Sequence, residues 1–226
     1  DFENPAEKTL LVSNITVVPD ITCDALKSVE TIDAGVAFSP FNWNASNDNQ
    51  AYEGRQSGRL GGTMINQIPA AARDLSPIGF WTSQNTTHSG LVTMNDTRTL
   101  FYHDETVVQQ AVGSGLPYNG MDVPSFIALT VDYATCEYEM VASFVVMGTV
   151  SENGVGAEAP IAPGGIYYRE SVPNELLQNG SLTRELTLPV RYDTGDKLNG
   201  FYPAGQNDQL RAEGSTELNW TFELIR

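Results

Sequence analysis

Apolar and polar residues alternate with period two along most of the chain, the signature of half-buried β-strands. The C-terminal stretch TELNWTFELI puts Leu218, Trp220, Phe222 and Leu224 on one face, and Glu217, Asn219, Thr221 and Glu223 on the other. RELTLPVRYD repeats the pattern. Leu186, Leu188, Val190 and Tyr192 turn inward, Glu185, Thr187, Arg191 and Asp193 outward, and Pro189 on the outer side predicts an edge strand or a bulge. FIALTVDY carries the stripe Ile127, Leu129, Val131 and Tyr133, and CEYEMVASFVVMGTV runs on from Cys136 as a long strand of growing apolarity. Further strands are predicted at LLVSNITVV, AGVAFSPF, TMINQI, IGFWTS, GLVTM and RTLFYH. Turn signals lie at Asn119-Gly120, Asn153-Gly154, Pro163-Gly164-Gly165 and Asn199-Gly200.

Helical spacing is confined to three short segments: IPAAARDL near residue 70, PNELLQ before Asn179-Gly180, and DETVVQQAV. In the last, Asp104 is placed as an N-cap and Glu105 suits the first turn, with Val108, Ala111 and Val112 at helical spacing before Gly113. Many short strands and little helix predict an all-β fold, a single domain over residues 1–226. The expected form is a β-sandwich of jelly-roll, lectin-like type, with a closed β-barrel as the alternative. No linker, charge block, internal repeat or low-complexity tract divides the chain.

Charge narrows the partners. The formal net charge is −16, with three Lys beside nine Arg. That balance excludes nucleic acid and anionic membrane surfaces as expected partners, since both demand basic neutralisation. No apolar stretch has the length of a membrane span. Six Asn-x-Ser/Thr sequons, at Asn14, Asn44, Asn85, Asn95, Asn179 and Asn219, exceed the one or two that average composition would give in roughly this length. They predict a glycoprotein of the secretory pathway, found outside the cell once its signal peptide is removed. Cys23 and Cys136, the only cysteines, are expected to pair in that oxidising compartment.

Catalytic motifs are scarce. The chain has no Gly-x-Ser-x-Gly elbow, Walker loop, dinucleotide fingerprint, His-Glu-x-x-His or Cys-x-x-Cys. Two histidines, His88 and His103, cannot build a multi-His metal centre, so neither metal nor cofactor is expected. Glu137/Glu139 and Glu217/Glu223 are carboxylate pairs of the kind a glycosidase uses, although alternating Glu on a strand usually marks a solvated face. Asp193, Asp196 and Asn199, or Asn47, Asp48 and Asn49, offer oxygen ligands for calcium, but such runs are first of all turns.

More suggestive are large aromatic and arginine residues in or beside loops: Trp43, Tyr52, Arg55, Trp81, Tyr118 and Tyr167-Tyr168-Arg169. Apolar walls with a few directed donors suit a pocket for small apolar or aromatic substrates. LFYHDET brings Tyr102, His103, Asp104 and Glu105 together, but on a strand Tyr102 and His103 point to opposite sides. The expected site has Trp81, Tyr118, Tyr52 and Trp43 as walls and His103, Tyr102 or Arg55 as donors.

In its sequons, acidity, two cysteines and all-β pattern, the chain resembles secreted fungal glycoproteins that act as hetero-Diels–Alderases in tropolonic sesquiterpenoid biosynthesis. The resemblance implies a lectin-like β fold. It also implies a cofactor-free cycloaddition between a tropolone quinone methide and a humulene-type alkene. Such a reaction needs only apolar partners held in a near-attack pose and a donor to the developing charge. A carbohydrate-binding module is the competing expectation, using the same aromatics as stacking platforms. Sheet edges left open would favour a homodimer.

Overall fold

The fold is described from a computed structural model. It covers residues 22–48, 52–75, 77–83, 88–191, 199–203 and 211–226, with backbone alone for strand residues 41–60, 72–75, 203 and 211–213. The predicted strand LLVSNITVV lies outside the described residues.

The protein is all-β. Among the described residues twelve strands form one antiparallel sheet: β1 (Thr31–Asp48), β2 (Tyr52–Leu75), β3 (Ile78–Thr82), β4 (Val92–Tyr102), β5 (Thr106–Gly115), β6 (Phe126–Asp132), β7 (Glu137–Glu152), β8 (Val155–Ser171), β9 (Ser181–Pro189), β10 (Gly200–Pro203), β11 (Arg211–Glu213) and β12 (Ser215–Ile225). A 3-10 helix, Cys23–Ser28, precedes β1, and one α-helix, α1 (Asn174–Asn179), joins β8 to β9. Hydrogen bonding runs β10-β8-β7-β5-β4-β2-β1-β12-β9, with β3 and β6 bridging β2 to β7 by a second route. Among the described residues the two ends of the path touch through one bridge, Val190 to Phe201. The sheet is therefore folded upon itself in a sandwich-like form and is not a clean barrel.

Alternation explains the core. Ile32, Ala34, Val36 and Phe38 of β1, with Leu218, Trp220 and Phe222 of β12, are buried from one side. Tyr138, Met140, Ala142 and Phe144 of β7 are buried from the other. The two inner faces meet directly: Phe38 and Phe144 pack edge to face with centroids 4.7 Å apart, Tyr168 and Trp220 lie 4.5 Å apart, and Phe38 touches Phe201 at 4.8 Å. Burying such rings supplies the main drive to fold.

The expected disulfide is present. Cys23–Cys136 ties the 3-10 helix to the turn between β6 and β7, and both residues pack into the core cluster. Among the described residues no helix is long and apolar enough to cross a membrane.

Several expectations are corrected. DETVVQQAV is strand β5, not a helix, because β4 and β7 offer hydrogen-bonding partners on both its sides. Asp104 is thus no N-cap; it lies in the hairpin turn where the Tyr102 N–H donates to the Glu105 carbonyl at 2.8 Å. IPAAARDL belongs to β2, where its Ala70 and Ala72 pair with Trp81 and Phe80 of β3. GLVTM and RTLFYH merge into β4, whose last residue is Tyr102. Pro163-Gly164-Gly165 is not a turn but part of β8, next to a register shift opposite Phe144/Val146.

Three local signals hold. Asn153 (φ 48°) and Gly154 (φ 83°) make the β7–β8 hairpin turn, whose positive φ values suit this pair. PNELLQ forms α1, ended by Gly180 in the left-handed conformation. Pro189 closes β9, the last strand of the path, as an edge placement requires.

Candidate functional site

The residues expected to share a pocket are scattered. Trp81 is 1% exposed and belongs to the core, its indole N–H donating to the Val29 carbonyl at 3.3 Å. Its alternation with Phe80 in β3 turns it inward, so it is no pocket wall. His103 sits on the β4–β5 hairpin tip with its side chain 96% exposed, 2.9 Å from the Asp104 carboxylate. Tyr102 is exposed on the same hairpin. Tyr118 is half-buried in the loop between β5 and β6, its backbone N–H bonded to the Val145 carbonyl. The backbone places Tyr52 opposite Tyr102, Arg55 opposite Thr99 and Trp43 opposite Gly58, but these three side chains lie outside the described residues.

The carboxylate pairs are surface features. Glu137 is bonded to Arg169, and Glu139 accepts from the Tyr167 hydroxyl at 2.7 Å, forming a cross-strand ladder on β7 and β8. Burial and that carboxylate push the Tyr167 phenol up to about 12. Glu217 and Glu223 are exposed on β12. Of the proposed calcium ligands, Asp193 and Asp196 lie outside the described residues, as do the side chains of Asn47 and Asp48 and the whole of Asn49. Asn199 is engaged with the Arg169 backbone, accepting at 2.8 Å and donating at 3.1 Å. Among the described residues no group of three or more His, Cys, Asp or Glu is placed to hold a metal. Sequons Asn95, Asn179 and Asn219 are exposed, Asn44 is described in its backbone alone, and Asn14 and Asn85 are outside the described residues.

A different place emerges as the strongest candidate: a groove of about 730 Å³ on the outer face of β9, β12, β1 and β2. Register builds it in rows. Ser181, Glu223, Asp33 and Gln67 stand side by side across the four strands. One pair further along come Thr183, Thr221, Gly35 and Ile65, continued to Ser89 by a bridge. Each is an outward residue of an alternating strand, so one strand pleat presents hydroxyls, an amide and two carboxylates together. Gly35 keeps the floor low, since a Cβ there would come within 2.9 Å of the Thr221 hydroxyl oxygen. Asp33 Oδ1 is buried without a hydrogen-bond partner among the described residues. Asp33 and Glu223 also face each other directly, and like charges so placed are destabilising. Donors delivered from outside would relieve both.

Beneath the groove lies a buried polar pin. His88 Nε2–H donates to the Ser125 carbonyl at 2.9 Å, which leaves Nδ1 to accept from the Asn66 amide at 3.1 Å. Ser125 in turn clamps both backbone groups of Val145, at 3.0 and 3.1 Å. Burial is the main cause that holds the His88 imidazolium below its ordinary pKa. The folded protein thus refuses a proton that the unfolded chain accepts near the ordinary value of about 6.5. Stability from His88 is therefore complete above that value and falls as pH drops toward the depressed folded pKa. Melting temperatures taken from neutral pH down to about pH 5 should decline for the native protein and less steeply for His88→Gln. Parallel profiles would show that His88 contributes no such linkage.

A second cluster closes the seam where β8 and β9 are not hydrogen-bonded to each other. Glu170 accepts from the Tyr138 hydroxyl at 2.6 Å, the Tyr168 hydroxyl at 3.3 Å and Arg184 Nε at 3.0 Å. Arg184 also reaches Glu175 of α1 at 2.6 Å, and the Trp220 indole donates to Tyr138 at 3.2 Å. Burial first, then Glu170, raises both phenols, Tyr168 to about 12 and Tyr138 higher still. Every polar group in this set has a partner, the pattern of a structural clamp between layers.

Sequence reasoning passed over the groove and the clamp alike. Asp33, Gly35, Gln67 and Thr183 carry no motif, and only strand register makes them neighbours. Glu170 and Arg184 flank α1, and their alternation with Tyr168 and Leu182 was the one available signal. No family model matches the chain, and comparison with curated proteins and with solved structures finds no match either.

Proposed function

We propose that the protein is a secreted binding module that takes a small saccharide or other polyol in the groove on β9, β12, β1 and β2. The carrying observation is the row Ser181–Glu223–Asp33–Gln67, which sets acceptors at strand spacing around a carboxylate oxygen that has no hydrogen-bond partner among the described residues. Vicinal hydroxyls donate to such acceptors, and the neighbouring Thr183, Thr221 and Ser89 can bond the ring oxygens in return. The volume falls in the range of small-molecule sites. Binding there calls for no nucleophile, metal or cofactor, and the disulfide is compatible with an extracellular location.

Gly35→Val fills the groove floor and is expected to abolish saccharide binding, while Asp33→Asn weakens it about tenfold through one lost charged hydrogen bond. Glycan-array screening followed by calorimetry of both variants checks this. Native-like binding by Gly35→Val would remove the groove from consideration.

The cofactor-free cycloaddition is a second reading, favoured by one observation: the exposed side chain of Ile65 borders the same groove and offers a terpenoid an apolar contact. In that case hydroxyls of the middle row, not His103 or Arg55, would direct the heterodiene. Adduct formation from a tropolone quinone methide precursor and a humulene-type alkene, lost in Gly35→Val, would favour it over sugar binding.

A further inference from the structure

The register that builds the groove also places two sequons at its border. Asn219 is exposed and outward on β12, in a third row with Glu185, Ala37 and Thr63, directly next to the row of Thr183, Thr221, Gly35 and Ile65. Its side chain therefore leaves the sheet about 7 Å from that of Thr221, two residues of strand rise away. The sequon Asn219-Trp220-Thr221 is completed by a residue that lines the groove. The sequon Asn179-Gly180-Ser181 is completed by another, Ser181. Asn95, by contrast, stands on β4 opposite Val112 and Arg59, away from these rows.

We propose that the occupant of the groove in the mature protein is its own N-glycan, carried on Asn219 and folded back over Thr221 toward Glu223 and Asp33. This rests on the reading of the groove as a bed for polyols and adds its regulation: glycosylation at Asn219 closes the site to free saccharides. Three observations point the same way. The row leading from Asn219 to the carboxylates is low, because Ala37 and Gly35 carry little or no side chain beside it. The polar atoms along the path, the hydroxyls of Thr221 and Thr183 and the carboxylates of Glu223 and Asp33, match sugar hydroxyls as donors and acceptors. A tether from the neighbouring row gives the first sugars an effective concentration of order millimolar, enough to compete with free monosaccharide that binds in the same range.

The test uses the full chain made in a host that adds N-glycans, beside Asn219→Gln and Asn179→Gln. Asn219 is exposed, and matching melts will establish that its variant folds. Glycopeptide mass spectrometry reads occupancy, and carbodiimide labelling reads the accessibility of two exposed carboxylates on β12. Glu223 lies on the groove side of Asn219 and Glu217 on the other. Expected is an occupied Asn219, with Glu223 labelled severalfold less in the native protein than in Asn219→Gln, Glu217 equal in both, and Asn179→Gln like the native. Free-saccharide affinity should rise severalfold in Asn219→Gln. An unoccupied Asn219, or labelling of Glu223 that does not respond to the substitution, overturns the proposal. Should Asn219→Gln bind no saccharide while Glu223 is still shielded in the native protein, the groove's reading as a saccharide receptor fails and the glycan bed stands.

Discussion

Replacing Cys23 and Cys136 together by alanine is expected to destabilise the protein by about 4–5 kcal/mol, the value that loop-closure entropy assigns to a bridge spanning roughly a hundred residues. The two cysteines are separated by 113 positions, so the reduced chain regains nearly the largest closure entropy a domain of this size can offer. For a chain of about this length each kcal/mol moves the melting midpoint by about 2–4 °C, so a drop of about 8–20 °C is expected. Native-state packing adds to the loss, because Cys23 is 3% exposed and its truncation leaves a small void in the core cluster. Thermal melts of the oxidised protein, the reduced protein and the double variant measure it. The reduced protein isolates the cross-link from the void, since it keeps both sulfur atoms. A midpoint unchanged on reduction would mean that the bridge constrains nothing in the unfolded chain.

Glu170→Ala is expected to cost about 3 kcal/mol, the lower end for breaking a buried ion pair because the carboxylate is partly exposed. The substitution leaves the Tyr138 hydroxyl, in a residue 1% exposed, with only the Trp220 indole beside it, and removes one of the two carboxylates that hold Arg184. Glu170→Gln should recover part of the loss, because an amide oxygen still accepts from one phenol but carries no charge for the guanidinium. Arg184→Met in both backgrounds completes a double-mutant cycle, and a coupling above about 1 kcal/mol is expected for groups in direct contact. Urea denaturation measures the four proteins of the cycle and Glu170→Gln. Additive losses would show that Glu170 and Arg184 act independently, leaving the aromatic contacts of Tyr168 with Trp220 and Tyr138 with Phe222, and the Trp220–Tyr138 hydrogen bond, to close the seam.

Alternation made much of the fold legible. In TELNWTFELI the inward set Leu218, Trp220 and Phe222 is buried and the outward set exposed, because the strand has one face on the core and the other open. DETVVQQAV misled because its apolar positions at 107, 108, 111 and 112 fit a helical period better than strict alternation, and only the partners β4 and β7 make it a strand. The alanines of IPAAARDL favour a helix in isolation, yet β3 pairs with them and tertiary context overrides propensity.

The site was less legible than the fold, for a physical reason. Trp81 and Tyr118 drew notice as large aromatics near turns, and the structure puts Trp81 in the core. The groove is made of Ser, Thr, Asp, Gln and Gly contributed by strands that begin at residues 31, 52, 181 and 215. No local window contains more than two of its lining positions on one face. Cross-strand adjacency is a product of register, and register is written in the pairing of distant segments.

The position of β1 between β2 and β12 also governs how the protein can be made. Thr31 pairs with Ile225, so the inner strand of this layer has one neighbour early in synthesis and waits for its other until a segment far downstream has left the ribosome. During that interval the β12-facing edge of β1 is a bare template, and any chain arrested before Ser215 carries it permanently. Cys136 emerges well before β12, so oxidative closure with Cys23 can precede completion of the sheet and tether the waiting strand to the β6–β7 turn. Productive maturation then depends on a race between β12 and intermolecular strand pairing, and nascent protein left in a reducing compartment enters that race without its tether.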